Sequence, residues 1–122
     1  MKNVLVNYVG DVAINLSISG DAADGDVLET VFAQFNHGSG QEHPLFLEKK
    51  VRSLSVHDLV RVDDKWYQCE SVGWKLVTDE YVDSLERLVV NHPSFKEEGP
   101  WYVLQQVMWN IKVNDRNKLN ES

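Results

Sequence analysis

The stretch from Arg52 to Val77, RSLSVHDLVRVDDKWYQCESVGWKLV, constrains the fold of this chain more than any other. Leu54 and Val56 begin an extended run that Ser55, His57 and Asp58 interrupt, and Leu59, Val60 and Val62 resume it. Asp63-Asp64 then supplies a turn, Trp66 to Cys69 return antiparallel, and Gly73 punctuates a last short strand. The spacing predicts a β-meander around which the other segments are placed.

Before the meander, Val4, Val6 and Tyr8 alternate with Asn3 and Asn7, and Val12, Ile14, Leu16 and Ile18 alternate with Asn15, Ser17 and Ser19. Gly10-Asp11 between the two runs is a tight-turn dipeptide, so an N-terminal hairpin is expected. Its polar face is built of Asn and Ser, which suits either water or a partner. GDAADGD, residues 20–26, ends the second strand, and Asp26 with Glu29 has the form of a helix N-cap and its capping-box partner. Val27, Leu28, Val31, Phe32 and Phe35 then form an apolar stripe. His43-Pro44 forces an extended connection, pinned to the core by Leu45, Phe46 and Leu47.

After the meander, Thr78 with Asp79, Glu80 and Asp83 opens another helix, because acidic residues in a first turn oppose the helix dipole. Its buried stripe is Tyr81, Val82, Leu85, Leu88 and Val89, and Asn91-His92-Pro93 stops it. Ser94 to Gly99 reads as a polar linker. In residues 100–113, Val103, Val107 and Ile111 fit helical spacing, while Trp101, Val103, Val107, Trp109, Ile111 and Val113 also fit strand alternation. Pro100 at the start favours helix and the β-branched and aromatic content favours strand; the reading taken is a helix giving way to an extended end. Residues 114–122 are expected to fray. The fold class is therefore α+β: one domain, residues 1–122, with an antiparallel sheet (hairpin plus meander) packed by two or three helices.

A chain of 122 residues, 43% of them hydrophobic, can bury a real core. Its net charge of −7 repels nucleic acid and attracts basic surfaces, which disfavours direct nucleic-acid binding. The single Cys69 cannot form an internal disulfide. Asn3, Asn7, Asp11 and Asn15 interrupt any signal peptide, and no window reaches the roughly 18 to 20 apolar residues of a membrane span. A cytoplasmic protein with no membrane association is expected.

The residues do not spell out a reaction. Asp21, Asp24, Asp26 and Glu29 occupy positions 1, 4, 6 and 9 of their run, which is not the ligand spacing of a calcium loop. His37, His43, His57 and His92 share no ligand spacing with Cys69, so no metal or other cofactor is expected. Cys69 and His57 would lie on neighbouring strands, where a thiolate–imidazole pair is conceivable, but a buried free Cys is the commoner case. No phosphate-cradling loop or nucleophile elbow occurs. Trp66 and Trp74 read as core, Tyr102 and Trp109 as surface anchors for a partner.

Four segments together resemble the YodL-like module of plasmid, integrative-element and phage proteins. They are LETVFAQFN (Leu28 to Asn36), His43-Pro44, RSLSVHDLVRV (Arg52 to Val62) and KWYQCESVGWK (Lys65 to Lys75). The likeness covers about residues 28–77 and is carried chiefly by Ser53-Leu54-Ser55-Val56 and Ser71-Val72-Gly73-Trp74. His57 stands where that pattern has a small or polar residue, which makes the turn bulkier. The resemblance implies a mobile-element accessory protein and carries over no established active site, some relatives being associated with antirestriction genes. Such a protein would bind a host defence protein, a CRISPR effector or restriction enzyme, at its basic nucleic-acid-binding surface. The charge distribution fits: residues 1–47 carry one basic and six acidic side chains, residues 48–77 six and five, residues 78–122 five and eight. The expected contacts are Asp21, Asp24, Asp26, Asp79, Glu80, Asp83, Tyr102 and Trp109. Charge reversal at Asp24 or Glu80 is expected to spare folding while weakening binding. The alternative is a non-enzymatic structural module that assembles with itself, as a homodimer through an edge strand.

Overall fold

The structure, a computed structural model, describes residues 1–121, with side chains described through Arg116. Ser122 lies outside the described residues.

The chain is an α+β protein built on one five-stranded antiparallel sheet with strand order β2-β1-β3-β4-β5. Hairpin strands β1 (Lys2–Asn7) and β2 (Ala13–Ile18) are joined through a turn in which Gly10 has φ +76°. The meander consists of β3 (Leu59–Val62), β4 (Lys65–Cys69) and β5 (Trp74–Val77). The two units fuse because β1 also pairs with β3, Val4 opposite Val62 and Val6 opposite Val60. Leu54 and Val56 do not begin the first meander strand. Residues 51–58 form an extended loop and turn, and Leu54 is buried without a ladder partner.

Five helices cover the sheet among the described residues, where two or three were expected. They are α1 (Asp24–Gln34), α2 (Pro44–Lys49), α3 (Asp79–Val90), α4 (Phe95–Glu98) and α5 (Pro100–Glu121). Short α2 occupies the expected connection: His43 keeps the extended backbone that the following Pro demands and accepts from the Leu45 N–H, while Pro44 starts the helix. Phe46 is buried, whereas Leu47 is exposed and pins nothing. The Ser94–Gly99 linker contains the single turn α4. α5 is helical throughout, without the extended end, and continues across residues 114–121, where the composition suggested fraying. Its buried residues Val103, Leu104, Val107 and Met108 recur at spacings only a helix puts on one face.

The sheet separates two cores. Val4, Val6, Ile14, Leu16, Val60 and Val62 pack with Val27, Leu28, Val31, Phe35, Phe46 and Leu54 beneath α1 and α2. On the opposite face, Val9 and Leu59 pack with Val82, Leu85 and Val89 of α3 and with the buried face of α5. Leu88, counted in the α3 stripe, is half exposed. Trp74 packs against the first core and Trp66 against the second.

Candidate protein-binding surface

The registers determine which loops meet. Lys2 pairs with Ile18, Val4 with Val62, Val62 with Lys65 and Trp66 with Val77, so one margin of the sheet collects the start of β1, the end of β2, the β3–β4 turn and the end of β5. α1 follows β2 and α3 follows β5, so both helices begin at that margin, on opposite faces. Asp21, Asp24 and Asp26 therefore share one end of the molecule with Asp79, Glu80 and Asp83, although the sequence separates the two groups by more than fifty residues. Asp63 and Asp64, read from the sequence only as a turn, lie between them. Asp64, Asp79 and Glu80 line one cleft with Lys65, and Asp63 accepts from the Asn3 N–H at 3.0 Å.

Asp24 behaves differently from its neighbours. It takes Lys2 Nζ at 2.7 Å and the Tyr67 hydroxyl at 2.6 Å, so it ties α1 to β1 and β4 and is not a free contact. Lys2 and then Tyr67 hold its carboxyl below the usual range, while burial and the Asp24 charge push Tyr67 up to about 12. Because Asp24 is committed there, the Asp26–Glu29 capping box does not form. The N-cap lies three residues earlier than expected, at Ala23, which offers no side-chain acceptor. Thr78 does cap α3, accepting from the Tyr81 N–H at 3.0 Å. Asp21, Asp26, Asp79, Glu80 and Asp83 are exposed.

Tyr102 and Trp109 are exposed on α5, Trp109 at 65%. They do not join the acids. α5 begins beside the β1–β2 turn, where Pro100 Cβ lies 3.4 Å from the position a Cβ on Gly10 would take, and Trp109 lines a cleft with His57, Ser71, Gln105 and Lys112 at the opposite margin.

That opposite margin is organised by Asp58. Its carboxylate is fully buried and accepts from Arg52 Nη1 at 2.6 Å, Arg52 Nη2 at 2.9 Å and the Ser55 N–H at 2.9 Å. Arg52 also lies 4.8 Å from the Tyr8 ring centroid. The turn that presents Asp58 is closed by its N–H donating to Ser55 O at 3.1 Å, and His57 adopts φ +81°, a conformation Gly or Asn takes more cheaply. His57 is thus more than bulk in the turn. Lys112 Nζ stands 2.9 Å from its Nε2, so that nitrogen accepts from the ammonium and Nδ1–H donates to Gln105 Oε1 at 2.8 Å. Burial above all, and then the Lys112 charge, lower the His57 pKa against the opposing pull of Gln105 and Glu70. Lys112 also reaches Glu70 at 3.1 Å.

Cys69 does not meet this imidazole, whose two nitrogens are engaged elsewhere. Its thiol points to the Glu70 carbonyl at 3.7 Å and is pushed up to about 11 by burial and by the charges of Asp58 and Glu70, so it stays a thiol at neutral pH. Among the described residues no three His, Cys, Asp or Glu side chains are grouped to hold a metal ion, and no helix is long and apolar enough to cross a membrane.

The fold and these surfaces define an α+β protein with an acidic rim at one sheet margin and a hydrogen-bonded polar centre at the other. Comparison with protein-family models, curated proteins and solved structures finds no match to the chain.

Proposed function

We propose that this is a non-enzymatic accessory protein of a mobile genetic element, of phage or plasmid type, that inhibits a host defence system by protein binding. The acidic rim lies on the basic, nucleic-acid-binding surface of the host protein, such as a CRISPR effector or restriction enzyme. One observation carries the docking mode: two acidic segments far apart in sequence, together with Asp63 and Asp64, collect at a single margin of the sheet. Carboxylates there occupy the places of phosphates and pair with Arg and Lys, and the net charge of −7 steers the encounter in a salt-dependent way. The element context rests on the YodL-like resemblance. The decisive comparison uses the wild type and the triple reversal Asp79→Lys, Glu80→Lys, Asp83→Lys as baits in host lysate, alongside phage plating or plasmid transfer. The wild type is expected to retain a nucleic-acid-binding protein that the reversal releases. Recovery of no such protein, with no change in plating or transfer, would sink the proposal.

A second reading, the self-assembling module, is favoured by the free edge of β2. Its six residues AINLSI carry no charge and no Pro, the usual guards against edge pairing. Light scattering that shows a monomer at high concentration counts against it.

A further inference from the structure

The sheet face turned toward α3 and α5 is covered over only part of its width. Asn15, Leu5, Arg61, Trp66 and Val77 stand side by side in one register row across β2, β1, β3, β4 and β5. Trp66 and Val77 pack into the second core, whereas toward β2 the row opens into a cleft of about 340 Å³ lined by Asn3, Asn15, Leu16, Ser17 and Arg61. The reason lies in β2, which turns Ala13, Asn15 and Ser17 to this side and sends Ile14 and Leu16 into the first core, so nothing apolar here demands a helix.

Arg61 occupies the middle of this shelf. Its guanidinium carbon lies 5.6 Å from the Trp66 ring centroid, and its buried Nε has no hydrogen-bond partner among the described residues. Lys2, Arg52 and Lys112, by contrast, each meet a carboxylate. Among the described residues Lys2 and Arg52, the other half-buried cations, both meet a carboxylate and Arg61 does not, so the fold bears the cost of an unmade bond at its Nε. Trp66 holds the fork against its face, so less freedom is lost when a ligand arrives, and a planar fork matches a carboxylate in two parallel bonds. The side chains of Asn3, Asn15 and Ser17 also make no hydrogen bond among the described residues, and each amide offers the donor and acceptor that a peptide unit needs.

We propose that this shelf docks an extended segment of a partner protein carrying an Asp or Glu side chain, which Arg61 takes bidentately while Asn3 and Asn15 pair with the segment's backbone. The acidic rim seeks cations and the shelf seeks a carboxylate, so the two sites stand or fall separately.

The test follows backbone amide and Arg61 Nε–H resonances of the full chain during titration with acetyl-Gly-Glu-Gly-amide, with acetyl-Gly-Gln-Gly-amide and with acetate alone. The Glu peptide is expected to shift Leu5, Asn15, Ser17 and Arg61 saturably, the Gln peptide far less. Arg61→Gln, and Arg61→Lys through loss of the fork, weaken binding by at least about tenfold. Asn15→Asp sits on an exposed strand position, leaves the fold intact and weakens binding by like-charge repulsion, which keeps the test valid if the Arg61 variants misfold. No saturable shift, equal shifts with the Gln peptide, acetate binding as tightly as the Glu peptide, or an unchanged titration in Asn15→Asp each overturn the proposal.

Discussion

The ion pair of Arg52 and Asp58 supports a quantitative prediction because its two members differ in exposure. The Asp58 side chain is 0% exposed and that of Arg52 is 31% exposed. Arg52→Met leaves a buried carboxylate with only the Ser55 N–H at 2.9 Å and its hydroxyl at 3.4 Å, an uncompensated charge worth about 3–5 kcal/mol. It also removes the contact with Tyr8, about 1 kcal/mol more. Asp58→Asn keeps the shape and one acceptor and leaves a guanidinium that water can reach, which costs about 1–3 kcal/mol. The double variant Arg52→Met/Asp58→Leu leaves no buried charge and recovers most of the larger loss, short of the Ser55 N–H that loses its acceptor. Set against a total of about 5–15 kcal/mol for a domain of this size, Arg52→Met alone brings the protein near the limit of stability. Urea unfolding followed by tryptophan fluorescence and circular dichroism, with slopes compared across the four proteins, ranks the three losses directly. If Asp58→Asn proves the more damaging single change, or the double variant is no better than Arg52→Met, the reasoning from exposure is refuted.

Two further outcomes are expected. Gly10→Ala faces both φ +76° and a Cβ position 2.8 Å from Val89 Cγ1, so it should lose about 3 kcal/mol or more, whereas Gly73→Ala at φ +73° meets nothing within 4 Å and should lose only about 1–2 kcal/mol; equal losses in thermal melts would remove the packing argument at the hairpin tip. His57 has a lowered pKa when folded, so between pH 7.5 and 5.5 the unfolded chain takes up its proton first and stability falls as pH falls, by no more than about 1.4 kcal/mol per pH unit for one group. His57→Asn, which tolerates φ +81°, should flatten that dependence; a wild-type stability that is level or rises on acidification would contradict the buried neutral imidazole.

Strand alternation made the hairpin and most of the meander legible, because each apolar residue of β1 and β2 needs only its own neighbours to declare a face. The features that were missed depend on distant partners. Asp26 and Glu29 have the local form of a capping box, but Asp24 is drawn into place by Lys2 and Tyr67, 22 and 43 residues away, and that moves the helix start. Residues 100–113 were ambiguous because Val103 and Val107 satisfy both periods; Leu104 and Met108, adjacent to them and equally buried, decide for helix, and only a second core beneath α5 makes that pair matter. The Ser53-Leu54-Ser55-Val56 signature looked like a strand because its apolar residues alternate. It is instead the loop around Asp58, and no local pattern announces that a carboxylate six residues after Arg52 is its buried partner.

The same dependence on strand order changes how binding is separated from folding at the acidic margin. Summed along the chain, the acids gave two charged flanks around a nearly neutral centre, and the centre contributed no contacts. Through the β3–β4 turn that centre supplies Asp63 and Asp64 to the rim, so neutral net charge in a segment is no guide to where its carboxylates lie. Asp24, grouped by sequence with Asp26, is the latch between α1, β1 and β4, and reversing it replaces the carboxylate 2.7 Å from Lys2 Nζ with a like charge and strips the acceptor from Tyr67. Reversal at Asp24 is therefore expected to loosen the fold, so any loss of the proposed binding in that variant cannot be told from a loss of folding. Reversal at Asp26 or Glu80, both exposed, breaks no hydrogen bond of the fold among the described residues. In the first turn of α1 or α3 it sets a cation against the helix dipole, which costs about 1–2 kcal/mol, so a loss of partner binding at constant folded fraction is the readout that reports on the proposed contact.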